Sequence, residues 1–233
     1  MKPTPRILLP LVLALCSHAY GQASADPFGV LRKPIPDKLV ILTFDDSVAS
    51  HATVVAPILK QFGFGGSFFI CDFDSFNSRK DWYMTWDQMR TMSNDGFDMG
   101  NHTLGHAGGA SIGPFLGMEY EFAANNLPKP TTLGWPVFMN NPATTPDLVA
   151  HHYTFGRGGV GRAYVPTADD PFNIPCSFFN GTYDSFVSEA QRAINGRIMV
   201  LSTLGCLTRD SGQDARTTCG AGILARRLSI PMF

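Results

Sequence analysis

Short apolar runs alternate with amphipathic segments along most of the chain. The apolar runs predict strands at residues 39–44, 67–71, 97–99, 131–135, 154–155 and 197–201. The segments between them predict helices at 52–61, 85–93, 114–125, 144–151 and 183–194. Thr85 and Gln88 have the spacing of a capping box at the start of the second helix. The alternation predicts a parallel sheet or barrel, whose active site would lie at the carboxyl ends of the strands.

The first residues have the pattern of a secretory signal. Lys2 and Arg6 precede an apolar run at 7–16, which is too short to span a bilayer and contains Pro10. Small residues at 19–21 and 23–25 offer cleavage sites. We therefore predict a signal peptide at 1–21, with cleavage as late as residue 25, and a secreted protein without a membrane span. Four cysteines follow it, at 71, 176, 206 and 219, so one or two disulfides are possible. The sequence does not assign their pairs.

The composition narrows the class of protein. Of the 233 residues, 44% are hydrophobic and 16% are charged, which is typical of a globular domain rather than a disordered chain. The net charge of −1 does not favour binding to nucleic acid or to an anionic membrane surface. The sequence leaves the oligomeric state open.

Two polar motifs stand at predicted strand ends. Asp45 and Asp46 close the first strand, and His102 and His106 follow the third among glycines that favour a loop. Because the carboxyl ends of parallel strands meet at one edge, we expect these side chains to lie together. Two imidazoles and a carboxylate can bind Zn²⁺ or a similar divalent ion, which lowers the pKa of water. A second carboxylate can then accept the proton.

The same residues resemble the first two motifs of a known family. Thr43-Phe44-Asp45-Asp46 and the GNHTLGH segment at 100–106 are similar to those of the polysaccharide deacetylases, the NodB-homology domains of carbohydrate esterase family 4. The resemblance covers about residues 39–201. It implies a distorted, incomplete (β/α) barrel with predominantly parallel strands, a deacetylase domain at 26–204 and an irregular tail at 205–233.

The resemblance also implies an activity and a set of roles. The activity is metal-dependent removal of N- or O-acetyl groups from sugars such as chitin or peptidoglycan, so the expected partner is an acetylated polysaccharide or oligosaccharide. Asp45 would be the catalytic base. Asp46, His102 and His106 would bind a divalent metal ion, with Zn²⁺ as the expected metal.

The third motif of the family departs from the pattern here. The family carries an Arg that orients the base, whereas the matching stretch in this chain is Trp135-Pro136-Val137-Phe138. We predict substrate contacts from Trp135, Pro136 and Phe138. Arg157, in a predicted loop, is hypothesised to supply the missing cation as part of the catalytic machinery. The Gly that usually follows the Asp pair is Ser47 here, a milder change.

The last family motif is altered more severely. The predicted strand at 197–201 fits, but Ser202-Thr203-Leu204-Gly205 brings no His, and Leu204 takes its place. Because that His protonates the leaving amine in the family, its loss predicts a rate about 10²–10⁴-fold lower. Two alternatives stay open: a catalytically weakened carbohydrate-binding pseudoenzyme, and a barrel hydrolase of a non-sugar C–N bond. A frameshift or misplaced splice junction near Leu204 is a further hypothesis, because a shifted frame can encode Gly-Val-Pro-Asp-Pro-Gly there.

Overall fold

A single curled sheet organises the part of the chain that the computed structural model describes, residues 35, 38–72, 75–159, 161–178 and 183–203. Its strands run in the order β5-β4-β3-β2-β1-β7-β6, and every neighbouring pair is parallel. The curled sheet is an incomplete α/β barrel, which confirms the predicted fold class. The strands are β1 (Val40–Phe44), β2 (Ser67–Asp72), β3 (Asp98–Leu104), β4 (Thr132–Gly134), β5 (Phe155–Arg157), β6 (Ser177–Phe178) and β7 (Met199–Thr203).

Within the described residues, five α-helices connect or cover these strands: α1 (Ala56–Gln61), α2 (Trp86–Asn94), α3 (Gly113–Ala124), α4 (Thr145–Ala150) and α5 (Tyr183–Ala190). The predicted capping box is present, since Thr85 Oγ1 accepts from the Gln88 amide and Gln88 Oε1 accepts from the Thr85 amide. Outward-facing strand residues such as Phe44, Phe68 and Met99 pack with α1 and α2 in the main core cluster.

The structure corrects several predicted boundaries. The first predicted helix begins with a π-helical turn (His51–Val55) before α1. β3 runs on through His102 to Leu104, where the sequence favoured a loop, because parallel pairing with β2 continues beyond Gly100. β5 includes Arg157, which was predicted to lie in a loop. β6 was not predicted at all.

One segment closes the gap between the two edge strands, β5 and β6. In this closing segment (residues 171–178), Ile174 exchanges backbone hydrogen bonds with Gly156 and Gly158 of the β5 edge. The segment then enters β6, which pairs with β7 at Ser177 and Phe178. One short stretch of chain therefore bridges the two edges of the incomplete barrel.

Several sequence-based predictions fall outside the described residues. These are the signal peptide, the tail at 205–233, Leu204, and the cysteines at 206 and 219. Cys71 and Cys176 are both buried free thiols. In the described part of the chain, no helix combines the length and the hydropathy that a membrane span requires.

Candidate active site

A sharp turn after β1 presents the two aspartates. Asp46 and Ser47 have φ angles of 72° and 55°, in the left-handed region that non-glycine residues rarely occupy. Ser47 compensates for this strain with its side chain: its hydroxyl donates to the Cys71 carbonyl at 2.7 Å and accepts from the Cys71 amide at 3.0 Å. The turn is thereby fastened to the end of the neighbouring strand β2, and the Asp pair is held at the carboxyl edge of the sheet.

His102 lies near the carboxyl end of β3 and is buried. Its Nδ1 lies 2.6 Å from the Gly134 carbonyl of β4. Because a carbonyl can only accept, Nδ1 carries the hydrogen, and Nε2 keeps a free lone pair. That Nε2 atom faces the two aspartates, 3.6 Å from Asp46 Oδ1 and 4.0 Å from Asp45 Oδ2.

The second histidine reaches the same place from a tight turn. Thr103 and His106 have φ angles of 68° and 51°, so the chain folds back directly after β3. Asp72 Oδ1 accepts a hydrogen bond from the Gly105 amide within this turn. His106 Nε2 consequently lies 3.7 Å from Asp46 Oδ1.

Asp46, His102 and His106 form a cluster that fits a divalent cation. Their ligand atoms all lie within 4.8 Å of one another. One carboxylate and two imidazoles are a donor set that Zn²⁺ prefers. Burial raises the pKa of the Asp46 carboxyl, and Asp45 acts in the same direction against the two imidazoles. Burial also lowers the pKa of His102, which favours the neutral ring that a metal ligand requires.

The other aspartate has a different partner. Asp45 is buried, and both of its carboxylate oxygens lie 2.6 Å from Arg157 Nη2. The sequence hypothesis required a cation beside Asp45, and the structure brings Arg157 there. The two aspartates thus have different partners: Asp46 faces the imidazoles, and Asp45 faces the guanidinium.

A slot in the barrel interior accommodates the Arg157 side chain. Its direct neighbour on β4 is Gly134, where an added Cβ would lie 2.6 Å from Arg157 Nη2 and 2.7 Å from Phe69 Cδ2. The guanidinium carbon lies 5.1 Å from the Phe69 ring centroid and 4.5 Å from that of Phe138. Two aromatic faces and the missing side chain at 134 therefore hold the guanidinium in one place.

A comparison with protein families finds a match for the part of the chain that carries the Asp and His residues. A family model described as polysaccharide deacetylase matches residues 32–123, a segment that contains Asp45, Asp46, His102 and His106. This part of the chain is similar to the polysaccharide deacetylase family. No curated protein sequence matches the chain significantly.

Two solved structures of deacetylases share the fold at 15% sequence identity. The Bc1960 peptidoglycan N-acetylglucosamine deacetylase is 15% identical with a TM-score of 0.55, over 84% of this chain and 82% of its own. A family 4 carbohydrate esterase from Streptomyces lividans is 15% identical with a TM-score of 0.52, over 82% of this chain and 88% of its own. For the Streptococcus pyogenes deacetylase PplD, the values are 20% and 0.48, over 57% of this chain, and the match spans only 61% of that protein.

The residues of the third motif lie in different environments. Trp135 is fully buried in a core cluster with Phe115 and donates through Nε1 to the Phe172 carbonyl. Its position disagrees with the predicted substrate contact, because an enclosed ring offers no surface to a sugar, and the same holds for the buried Pro136. Phe138 is half-buried and stacks against Arg157, so it remains at the site.

The sequence analysis missed two residues that contribute to the site, Gly134 and Phe178. The Gly134 carbonyl fixes the His102 ring, and the absent Gly134 side chain makes room for Arg157. A glycine inside a predicted strand is a known signal of close approach and could have drawn attention to it. Phe178, on the unpredicted β6, meets the Phe138 ring at 4.5 Å, and its two-residue strand gave no periodic signal.

Proposed function

We propose that this chain is an exported, metal-dependent deacetylase that removes acetyl groups from N-acetylated or O-acetylated sugars. The observation that carries the proposal is the division of the Asp pair, with Asp46 among two imidazoles and Asp45 beside them on Arg157. The family match and the deacetylase fold support the same class of reaction. Amide substrates would make the chain a hydrolase of non-peptide C–N bonds.

Each residue of the site has a task in this proposal. Asp46, His102 and His106 would hold a divalent ion, most simply Zn²⁺, given their donor atoms. When bound, the ion would supply Lewis-acid polarisation of the acyl oxygen and lower the pKa of the attacking water. Asp45 would take a proton from that water as its oxygen bonds to the acyl carbon. Arg157 would keep the Asp45 carboxylate aimed at the water.

The products follow from the balance of this step. The acyl C–N bond breaks, acetate leaves with the oxygen of water, and the sugar amine takes up a proton. β7 ends at Thr203, and the sequence after it brings no histidine for that last proton. We therefore expect turnover about 10²–10⁴-fold below that of an enzyme with a general acid in place.

Acetate release from an acetylated chito-oligosaccharide tests the proposal. The full chain, loaded with Zn²⁺, should release acetate, and Asp45→Asn should lose about 10²–10⁴-fold in rate while it still binds Zn²⁺. Sugar binding without acetate release would favour the pseudoenzyme instead, which the missing histidine and the Trp in place of the family's Arg motivate. Hydrolysis of small amides but not of glycans would favour the third class, a hydrolase of non-sugar C–N bonds.

Export is a separate part of the proposal. Its support is the basic and then apolar sequence of residues 1–21. N-terminal sequencing of protein recovered from the culture medium should find a start near Gln22 or Asp26. Retention of the full chain inside the cells would contradict export and leave the deacetylase proposal untouched.

A further inference from the structure

The amide of Asn101 links the metal-binding turn to the outer layer of the barrel. Its Oδ1 accepts from the Thr103 amide at 2.8 Å. Its Nδ2 donates to the Phe115 carbonyl at 3.0 Å and to Tyr153 Oη at 2.6 Å. Only one orientation of the amide satisfies these three partners, because two accept and one donates. Asn101 has no exposed surface, so its hydrogen bonds are made within the protein.

These bonds act on the stretch of backbone that carries both histidines. Asn101 faces outward and His102 faces the barrel interior, as successive residues of a strand do. The bond to the Thr103 amide then spans His102 and stabilises the left-handed conformation of Thr103, whose φ is 68°. Thr103 Oγ1 donates to the Ala107 carbonyl at 2.7 Å and fastens the far side of the same turn. A shift of the Asn101 amide would therefore move the backbone on both sides of His102.

Tyr153 supplies the fixed end of this arrangement. Its ring is buried against Phe115 in the second core cluster, at a centroid distance of 6.2 Å. Its hydroxyl oxygen accepts from Asn101, and burial together with the nearby Glu119 carboxylate of α3 raises the pKa of that hydroxyl. Glu119 Oε2 lies 3.0 Å from Lys129 Nζ, which orients the carboxylate in turn.

We propose that Tyr153 is a positioning residue for the metal centre: through Asn101, it sets the backbone geometry that brings His102 and His106 to Asp46. The inference rests on the proposed function and adds to it a residue that touches no ligand atom. Groups that orient metal ligands typically change metal affinity or activity about 10–100-fold when they are removed. Because Tyr153 acts through one intermediate side chain, we expect an effect near the lower end of that range.

The first test is Tyr153→Phe in the full chain, with Tyr120→Phe as its control. Phenylalanine keeps the packing of the ring and removes the hydroxyl that accepts from Asn101 Nδ2 and faces Glu119, whereas Tyr120 is 71% exposed on α3. Tyr153→Phe should weaken Zn²⁺ binding about tenfold. It should also alter the visible absorption spectrum of the Co²⁺-loaded chain and speed hydrogen exchange at the Thr103 amide. A Co²⁺ spectrum, Zn²⁺ affinity and Thr103 exchange equal to those of Tyr120→Phe would overturn the inference.

A second variant keeps the inference testable if Tyr153→Phe does not fold. Asn101→Ser retains an oxygen for the Thr103 amide and removes both bonds to the outer layer, so it should show the same spectral change and the same loss of affinity. An unchanged spectrum in folded Asn101→Ser would refute the role of the outer layer. The wild-type chain separates the two proposals: absence of both metal binding and acetate release would defeat the proposed function itself, whatever the variants do.

Discussion

Arg157 Nη2 lies 2.6 Å from both carboxylate oxygens of Asp45, and the two side chains are almost completely buried. A buried pair of this kind contributes little net stability, since the desolvation of two charges offsets most of their attraction. Loss of one partner is costly, however, because the other charge stays buried and unpaired. The pair is therefore better explained by the orientation of Asp45 than by the stability of the fold.

Arg157→Lys should lower kcat about tenfold or more and leave Zn²⁺ affinity unchanged, because an ammonium cannot occupy the aromatic slot in the same way as a planar guanidinium. Arg157→Ala should lower kcat further and destabilise the fold by about 3–5 kcal/mol. Arg162→Lys is the matched control, since Arg162 pairs with Asp169 in a more exposed setting. Steady-state kinetics with parallel metal titration distinguishes these effects. Equal kcat for the two lysine variants would exclude Arg157 from the reaction.

Gly134→Ala should reduce kcat about 10²-fold, because the new methyl group would collide with Arg157 and move it off Asp45. Gly65→Ala is the control, since a Cβ there meets nothing within 4 Å. Acetate-release assays on both variants, with circular dichroism to confirm the fold, provide the measurement. Full activity in Gly134→Ala would mean that the barrel interior has room to spare.

Removal of the metal should abolish acetate release, and added Zn²⁺ should restore it. Zn²⁺ would bind the folded chain, in which the three ligands lie together, and not the unfolded chain, in which they are apart. Its binding should therefore also raise the Tm. His106→Ala should remove both effects, whereas His152→Asn, which changes an exposed histidine outside the cluster, should keep them. Thermal unfolding with and without Zn²⁺ measures the shift. A similar rise in His106→Ala would place the metal elsewhere.

His51 should make the fold sensitive to acid. Burial lowers its pKa to about 4, from 6.5, although Asp45 acts in the opposite direction. The unfolded chain therefore binds a proton between pH 6.5 and 4 that the folded chain does not, and stability falls as the pH falls through this range. At pH 5 the loss from this group is about 2 kcal/mol relative to pH 7.5.

His51→Leu removes that titration and keeps the apolar contact with Phe44 and Phe68. Urea unfolding at pH 7.5 and pH 5 should show a smaller loss of stability in the variant than in the wild type. The comparison cancels the titration of other groups, which both proteins share. An identical loss in the two proteins would show that His51 takes up its proton without unfolding.

The parts of the molecule that the sequence predicted are those set by local pattern. Strand and helix alternation follows from hydrophobic periodicity, and the Asp and His motifs stand at strand ends that the parallel topology brings together. β3 was underestimated because Gly100 and Gly105 suggested a loop, whereas pairing with β2 extends the strand past Gly100. Tertiary pairing outweighed the local preference of glycine in this case.

A role for Arg157 could be suspected from the sequence, but its position beside Gly134 could not be predicted. A missing family Arg and a spare Arg were both visible, yet their relationship depends on which β5 residue lies beside which β4 residue. Trp135 was assigned to the substrate because it stands in the third-motif stretch, but side chains alternate between the two faces of a strand, and the sequence does not show which face Trp135 occupies. The structure turns Trp135 outward and leaves Gly134 facing the interior.

Loss of the closing segment would affect the metal ligands and the Asp45–Arg157 pair differently. Asp45, Asp46 and His102 stand on or beside strands in the middle of the sheet, where each strand is paired on both sides. Arg157 stands on β5, an edge that depends on residues 171–178 for its outer hydrogen bonds. If the closing segment separated from β5, Arg157 would move away from Asp45 before the metal ligands were disturbed. Metal affinity thus reports on the order of the central strands, and turnover reports on the contact between β5 and the closing segment.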